Sequence, residues 1–265
     1  EAPEGPWIVR HRYLVLGAVV TALTAIQAAN GQWSTDMWEH VAVVRGLIDD
    51  PFRATRPLEL LDTPYTVLLG LIGRALGLSA VTILSLAAIA NVILLLVALR
   101  LFVIEATGNR RAPFWALVFV LLLWGFSPYR YSGFFNLNSI GFVLPYPSAF
   151  ATAIALLTLT AALRAMGGWR WQFLVAVTAG IATVALVHPI TGAWLAVALV
   201  GVGVSRARVV SDWIWLVVAG IAGFALTLLW PYYSVLDLAR DTASYDVANK
   251  AMYRDVALRL FPALI

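Results

Sequence analysis

Three side chains capable of acid–base chemistry follow the first apolar stretch: Asp36, Glu39 and His40. If a helix begins here, the i, i+3 and i+4 spacing places them on one face. A carboxylate one turn from an imidazole can act as a general base with the group that orients it, or Asp36 and His40 can both be ligands of a divalent metal ion. The same residues also fit a helix start, with Asp36 as N-cap and Glu39 completing a capping-box-like pair, or a solvated loop. The flanking Trp33 and Trp38 suit a membrane interface.

His188 is the one histidine inside a long apolar run, and Pro189 follows it. An ionisable group in such a run is a candidate functional residue, and the alternative is a helix-end histidine bonded to a backbone carbonyl. The segment 129–147, which begins with Tyr129 and Arg130, mixes aromatic rings, amides and one cation. Such a surface suits stacking on a sugar and pairing with a phosphate, and it equally suits an aromatic anchor at headgroup depth.

The remaining polar residues give weaker signals. Asn91 lies within an apolar run and is either a packing group or a functional one. The acidic stretches at 49–51 and 59–64 have the composition of turns and helix caps, and we assign them no catalysis. The sequence contains no P-loop, dinucleotide glycine fingerprint, HExxH or GxSxG motif, so nucleotide hydrolysis, dinucleotide redox chemistry and common hydrolase mechanisms lose support.

The composition indicates which elements must position these residues. Of the 265 residues, 62% are hydrophobic and 12% are charged, and the mean hydropathy is +0.86. A soluble domain has about twice this charge density, so the composition excludes a cytosolic enzyme and a disordered chain. The net charge of +4 comes from residues that separate apolar stretches, which reports membrane topology rather than nucleic-acid binding. With no cysteine, a disulfide, a thiolate metal site and a cysteine nucleophile are all excluded.

Apolar stretches long enough to cross about 30 Å of hydrocarbon recur along the chain. The run at 171–205 is too long for one helix, and His188-Pro189 near its middle predicts a break. The sequence therefore predicts an all-α transmembrane bundle of about seven spans. They lie near 13–30, 80–104, 113–128, 148–166, 172–187, 190–205 and 213–230.

Residues 64–78 are apolar but short, and they contain Arg74. Treated as an interfacial helix, this segment leaves the main arginine clusters on one face, which the positive-inside rule favours. The N-terminus is then cytoplasmic, and a long outer loop at 31–79 holds surface helices. Most of the acidic residues fall in the outer segments, so we expect the chemistry on the extracytoplasmic side. The clusters are Arg10 with Arg12, Arg110 with Arg111, Arg164 with Arg170, and Arg206 with Arg208.

This arrangement resembles the GT-C superfamily, the polytopic glycosyltransferases that use polyprenyl-phosphate-linked sugars. The segment Ser34-Thr35-Asp36-Met37-Trp38-Glu39-His40 is similar to the acidic motif that opens the first outer loop in that superfamily. Thr63 to Gly70, leading to Leu76-Gly77-Leu78-Ser79, is similar to the surface helix that precedes the second span. The likeness covers nearly all of the chain in architecture, but the family's usual acidic pair is replaced here by Asp36 with Glu39 and His40.

The resemblance implies transfer of a sugar from a polyprenyl-phosphate donor to an acceptor hydroxyl on the extracytoplasmic face of a bacterial or archaeal plasma membrane. Asp36 is the expected base, with Glu39 and His40 in the same catalytic motif. Arg130 or His188 is expected to offset charge on the leaving phosphate, and all four of Arg130, His188, Tyr129 and Trp38 are expected substrate-binding residues. A divalent cation is a candidate cofactor.

Other interpretations stay open. One is a non-catalytic membrane subunit or lipid-binding scaffold, in which Asp36 is only a helix cap. Another is a carrier or flippase for a polyprenyl-linked sugar, which needs a polar path through the bundle. We expect residues 1–236 to form the membrane module, and 237–265 to be a peripheral amphipathic segment or the start of a truncated C-terminal part of a longer protein. Membrane lipids and further membrane subunits are candidate partners.

Overall fold

The computed structural model describes residues 11–31, 33, 37–52, 61–122, 135 and 144–236. These residues form nine α-helices and no strand, as the all-α prediction requires. The helices are α1 (Arg12–Ala29), α2 (Met37–Asp49), α3 (Pro64–Leu76), α4 (Ala80–Thr107), α5 (Ala112–Leu122), α6 (Pro147–Ala165), α7 (Trp171–Val187), α8 (Pro189–Arg206) and α9 (Val210–Thr227).

Five of these helices are long and apolar enough to cross a membrane: α1, α4, α6, α8 and α9. They support an integral membrane protein. The other two predicted spans correspond to α5 and α7, which are shorter apolar helices of 11 and 17 residues. The segment predicted to lie along the interface forms α3, which is also short and apolar.

Local signals explain where the helices begin and end. The α4 helix begins after Ser79, whose hydroxyl accepts a hydrogen bond from the Thr82 amide at 3.1 Å. It ends at Gly108, whose φ of 67° is left-handed backbone that glycine adopts without a steric cost. The predicted break in the long apolar run is confirmed, because α7 ends at Val187 and α8 begins at Pro189.

The α6 helix lies at the centre of the bundle and is the most buried of the five membrane-crossing candidates. Small residues allow its neighbours to approach closely, as at Gly180 of α7, where a Cβ atom would lie 2.0 Å from the Thr158 hydroxyl of α6. The α1, α8 and α9 helices are the least buried and expose apolar side chains around the outside. Such exposed surfaces suit contact with lipid.

Polar contacts gather several helix ends at what we call the arginine end, defined by Arg12, Arg111, Arg164 and Arg206. Arg164 Nε lies 2.6 Å from the Glu105 carboxylate near the end of α4. Arg206 donates to the Ala106 carbonyl at 2.6 Å. The Arg12 guanidinium lies over the ring of Phe114 in the first turn of α5. Arg111 directly precedes this helix. The structure thus places one arginine of each predicted cluster at the same end of the bundle.

Candidate functional site

The opposite end of the bundle carries α2 and α3, which pack tightly on each other. A Cβ atom at Gly70 of α3 would lie 2.4 Å from Leu47 Cβ, so only glycine fits this crossing. The Arg74 guanidinium donates to the carbonyls of Ile48 (3.2 Å) and Asp49 (2.9 Å), two of the carbonyls that lack partners where α2 ends. The two short helices therefore pack as one unit, and a contact of either helix with the bundle holds both in place.

A buried hydrogen-bond network fastens that unit to α4 and α6. Asn91 of α4 donates from its amide nitrogen to the Tyr65 hydroxyl (2.9 Å) and to the Leu144 carbonyl (2.7 Å). The Tyr65 hydroxyl donates in turn to the Pro145 carbonyl (2.8 Å), and its ring stacks on Phe150 at 5.1 Å between centroids. Asn91, flagged in the sequence as an isolated polar residue, is thus a packing group that fixes the start of α6 against α3.

Next to this network, His40 and Tyr146 contact each other. Their ring centroids lie 5.3 Å apart with the planes at 85°, an edge-to-face arrangement. His40 projects from the buried face of α2 and is 6% exposed, and Tyr146 directly precedes α6 and is 3% exposed. The two rings join α2 to the beginning of the central helix.

His188 lies near this pair, in the connection between α7 and α8. Its Nδ1 atom accepts a hydrogen bond from the Thr191 amide at 3.3 Å and lies 2.8 Å from the Thr191 hydroxyl, so His188 is the N-cap of α8. Burial, and to a smaller extent the nearby charge of His40, lower the pKa of His188 from the usual 6.5 to about 4. At neutral pH His188 is therefore an uncharged imidazole with its proton on Nε2.

We call the end of the bundle that carries His40, Tyr146 and His188 the loop end. The α6 and α7 helices each extend from this end to the arginine end. At about 1.5 Å per residue, the 19 residues of α6 separate the two ends by about 28 Å, close to the thickness of the hydrocarbon core.

A short aromatic segment after α9 completes the loop end. Trp230 donates from its indole to the Asp62 carbonyl (3.0 Å), and Tyr232 donates to the Pro51 carbonyl (2.9 Å). Tyr233 donates to the carbonyl of Leu186, two residues before His188. The segment therefore ties the chain between α2 and α3 to the end of α7.

A cavity of about 450 Å³ lies between α7, α8 and α9. Its walls are almost entirely apolar, and Trp213 lies toward the arginine end. Pro189, the residue after His188, and Val235, which follows the aromatic segment, line it at the loop end. We call this cavity the α7–α9 groove. Its volume falls within the range of small-ligand sites.

The structure places only some of the predicted site residues. Asp36, Tyr129 and Arg130 lie outside the described residues. Glu39 is exposed although His40 is buried, so the two do not share one environment. Trp38 is 57% exposed, with its ring centroid 6.1 Å from that of Trp33.

Among the described residues, no three His, Asp or Glu side chains come together in a way that could hold a metal ion. Of the two predicted ligands, His40 lies at the loop end and Asp36 is outside the described residues.

Two residues of this region were missed by sequence reasoning. Tyr146 contacts His40, and Ser148 is 1% exposed with no hydrogen-bond partner for its hydroxyl in the described part of the chain. The proline at the first position of α6 does signal a helix start at this point. No spacing in the sequence indicates that this start packs against α2.

Comparisons of the chain with protein-family models, with curated proteins and with solved structures gave no match.

Proposed function

We propose that this chain is a GT-C-like membrane glycosyltransferase, which moves a sugar from a polyprenyl-phosphate donor to an acceptor hydroxyl. The observation that carries the proposal is that His40 and His188 lie near each other at the loop end, beside the apolar α7–α9 groove. A polyprenyl-phosphate sugar has the matching chemistry: a long apolar chain, and a polar head that must stay near the membrane surface.

The proposal includes a topology of seven spans with the N-terminus in the cytoplasm. The clustering of Arg12, Arg111, Arg164 and Arg206 at one end supports it, since arginines concentrate on the cytoplasmic side. The loop end is then extracytoplasmic. Donor and acceptor would meet there, outside the hydrocarbon but next to it.

The proposed reaction breaks the bond between the sugar carbon and the donor phosphate and forms a bond from that carbon to the acceptor oxygen. The acceptor proton passes to Asp36, and the polyprenyl phosphate leaves with the bonding electrons. Because His188 is neutral, it would stabilise the phosphate by donating a hydrogen bond from Nε2, whereas Arg130 would supply positive charge. Trp38 and Tyr129 would offer aromatic faces to the sugar.

The same groove favours a second candidate from another class, a lipid-binding scaffold without catalysis. Its apolar walls account for lipid binding alone and need no acid, base or acceptor site. The two candidates predict the same lipid occupancy and differ in whether the sugar–phosphate bond is broken.

One pair of variants tests the groove in both candidates. Gly220 lines the groove and a Cβ atom there meets nothing within 4 Å, so Gly220→Leu places a side chain in the cavity. Gly201 on α8 also has open space at its Cβ, and it is exposed and does not line the groove. Gly201→Leu is therefore the matched control.

The purified chain is incubated with polyprenyl-phosphate hexoses and pentoses together with sugar acceptors that carry free hydroxyls, and release of polyprenyl phosphate and retention of lipid are both measured. Displacing about three methylenes at about 0.8 kcal/mol each weakens binding about fiftyfold, so we expect Gly220→Leu to lose turnover while Gly201→Leu keeps it. Binding without release in the wild type would favour the scaffold. Equal turnover by the two variants would remove the groove from the mechanism.

A further inference from the structure

A second cavity, of about 580 Å³, lies at the arginine end between α1, α4 and α5, on the far side of the bundle from the loop end. Its walls combine two cations, two neutral polar residues and apolar or aromatic surface. The residues that matter for its chemistry are Arg12, Arg111, Thr107, Asn109, Trp115 and Phe119.

The Arg12 guanidinium is held in place by aromatic rings. It lies 4.5 Å from the ring centroid of Phe114 and 5.6 Å from that of Trp115. Such stacking leaves the N–H groups at the edge of the guanidinium plane available for an anion. Arg12 is therefore oriented before any ligand binds.

The positive charge of this cavity is not neutralised within the described chain. The nearest carboxylate along α4 is that of Glu105, which already forms an ion pair with Arg164 at 2.6 Å. Neither Arg12 nor Arg111 forms an ion pair with a described carboxylate. Arg111 is exposed. Its backbone amide donates a hydrogen bond to the Asn109 side-chain oxygen at 2.9 Å, and this bond shapes the turn that carries Arg111.

The apolar part of the cavity continues onto surface that suits lipid. Trp115 and Phe119 are 51% and 53% exposed, and both lie on α5, an apolar helix that begins beside Arg111. Cations where an apolar helix begins, with a tryptophan one turn further, occupy the depth of lipid headgroups. Basic pockets between membrane helices are known to bind anionic headgroups.

From these observations we infer that this cavity binds the phosphate of an anionic phospholipid, with Arg12 and Arg111 on the phosphate and the first part of an acyl chain against Phe119. The inference does not depend on the proposed glycosyltransferase activity or on the groove at the loop end. It means that the arginine end binds lipids and prefers those with a net negative charge.

The test measures lipid binding to the purified full chain by native mass spectrometry, using dioleoyl phosphatidylglycerol and dioleoyl phosphatidylcholine. The two lipids share their acyl chains and differ in net charge. Arg111→Gln is the main variant, because Arg111 is exposed and its side chain has no hydrogen-bond partner in the described chain. Arg170→Gln is the control, since Arg170 directly precedes α7 at the same end, is exposed and does not line the cavity.

We expect the wild type to prefer phosphatidylglycerol, and Arg111→Gln to weaken that binding about fivefold, which is the usual contribution of one arginine near a membrane surface. Arg170→Gln should bind as the wild type does, and phosphatidylcholine binding should be the same for all three proteins. Equal affinity for the two lipids, or equal effects of the two substitutions, would overturn the inference. Displacement of phosphatidylglycerol by millimolar inorganic phosphate would also overturn it, because the cavity would then belong to a soluble anion.

Discussion

Replacing Tyr65 by phenylalanine removes one hydroxyl from the centre of the network that joins α3 to α4 and to the start of α6. That hydroxyl donates to the Pro145 carbonyl and accepts from the Asn91 amide. Its loss leaves two buried polar groups without a partner, at about 1 to 3 kcal/mol each, so Tyr65→Phe should cost about 2 to 6 kcal/mol of folding stability. For a chain of this size, 1 kcal/mol corresponds to about 2 to 4 °C in Tm, so the expected shift is at least about 4 °C.

The assay is thermal unfolding of the detergent-purified chain, followed by circular dichroism. Tyr232→Phe is the matched control, because its hydroxyl also donates to a backbone carbonyl but is only partly buried. Water can replace the lost bond there, so the expected cost is about 0.5 to 1.5 kcal/mol.

A double variant identifies the source of the effect. In an Asn91→Leu background the unpaired amide N–H no longer exists, so Tyr65→Phe should cost about 1 to 3 kcal/mol less than in the wild type. The same cost in both backgrounds, or equal Tm shifts for Tyr65→Phe and Tyr232→Phe, would refute the proposed coupling.

Three further predictions concern topology, packing and pH. Single cysteines at Asn109 and Asp50 should react with impermeant thiol reagents from opposite sides of the membrane, and same-side labelling would contradict the proposed topology. Gly70→Ala should lower Tm, because it forces α2 and α3 apart at a cost of about 1 to 3 kcal/mol. Gly46→Ala should leave Tm unlowered, since a Cβ atom there has open space. Equal Tm shifts for the two variants would contradict the close packing of α2 on α3. Burial and the charge of His40 hold the pKa of folded His188 near 4, below its unfolded value of about 6.5. The folding stability of the wild type should therefore fall by up to about 3 kcal/mol as pH falls from 6.5 through 4. His188→Asn, which can still cap α8, should remove most of that loss in acid-dependent thermal unfolding, and an unchanged pH profile would contradict it.

Much of the secondary structure could be predicted because apolar runs and their interruptions have local causes. The pair His188-Pro189 indicated a break, since proline removes a backbone donor and restricts the preceding residue. Such signals act within a few residues and need no knowledge of the tertiary fold.

The arrangement of the site could be predicted only in part. The spacing of Glu39 and His40 suggested a shared face, but the buried stripe of α2 follows His40, Val43, Val44 and Leu47, and Glu39 lies about 100° away from His40. The stripe is chosen by packing against α3 and α4, which the local sequence does not encode.

Contacts between distant segments also could not be predicted from the sequence. The bond from Asn91 to the Tyr65 hydroxyl joins residues 26 positions apart, and its bond to Leu144 spans 53 positions. Nothing in the spacing of these residues selects the pairs. They depend on how α3, α4 and the start of α6 pack together in the folded chain.

The most direct test of the central claim is the rate of polyprenyl-phosphate release by Asp36→Asn, measured with the donor and acceptor that the wild type uses. Asparagine keeps the size of the side chain and caps a helix about as well as aspartate, so the variant should fold and insert normally. It cannot accept the acceptor proton, and a positioned general base usually contributes about a hundredfold to ten-thousandfold in rate. The account predicts an intact protein whose release rate falls by at least about a hundredfold. A release rate close to that of the wild type would contradict it and leave Asp36 as a helix cap.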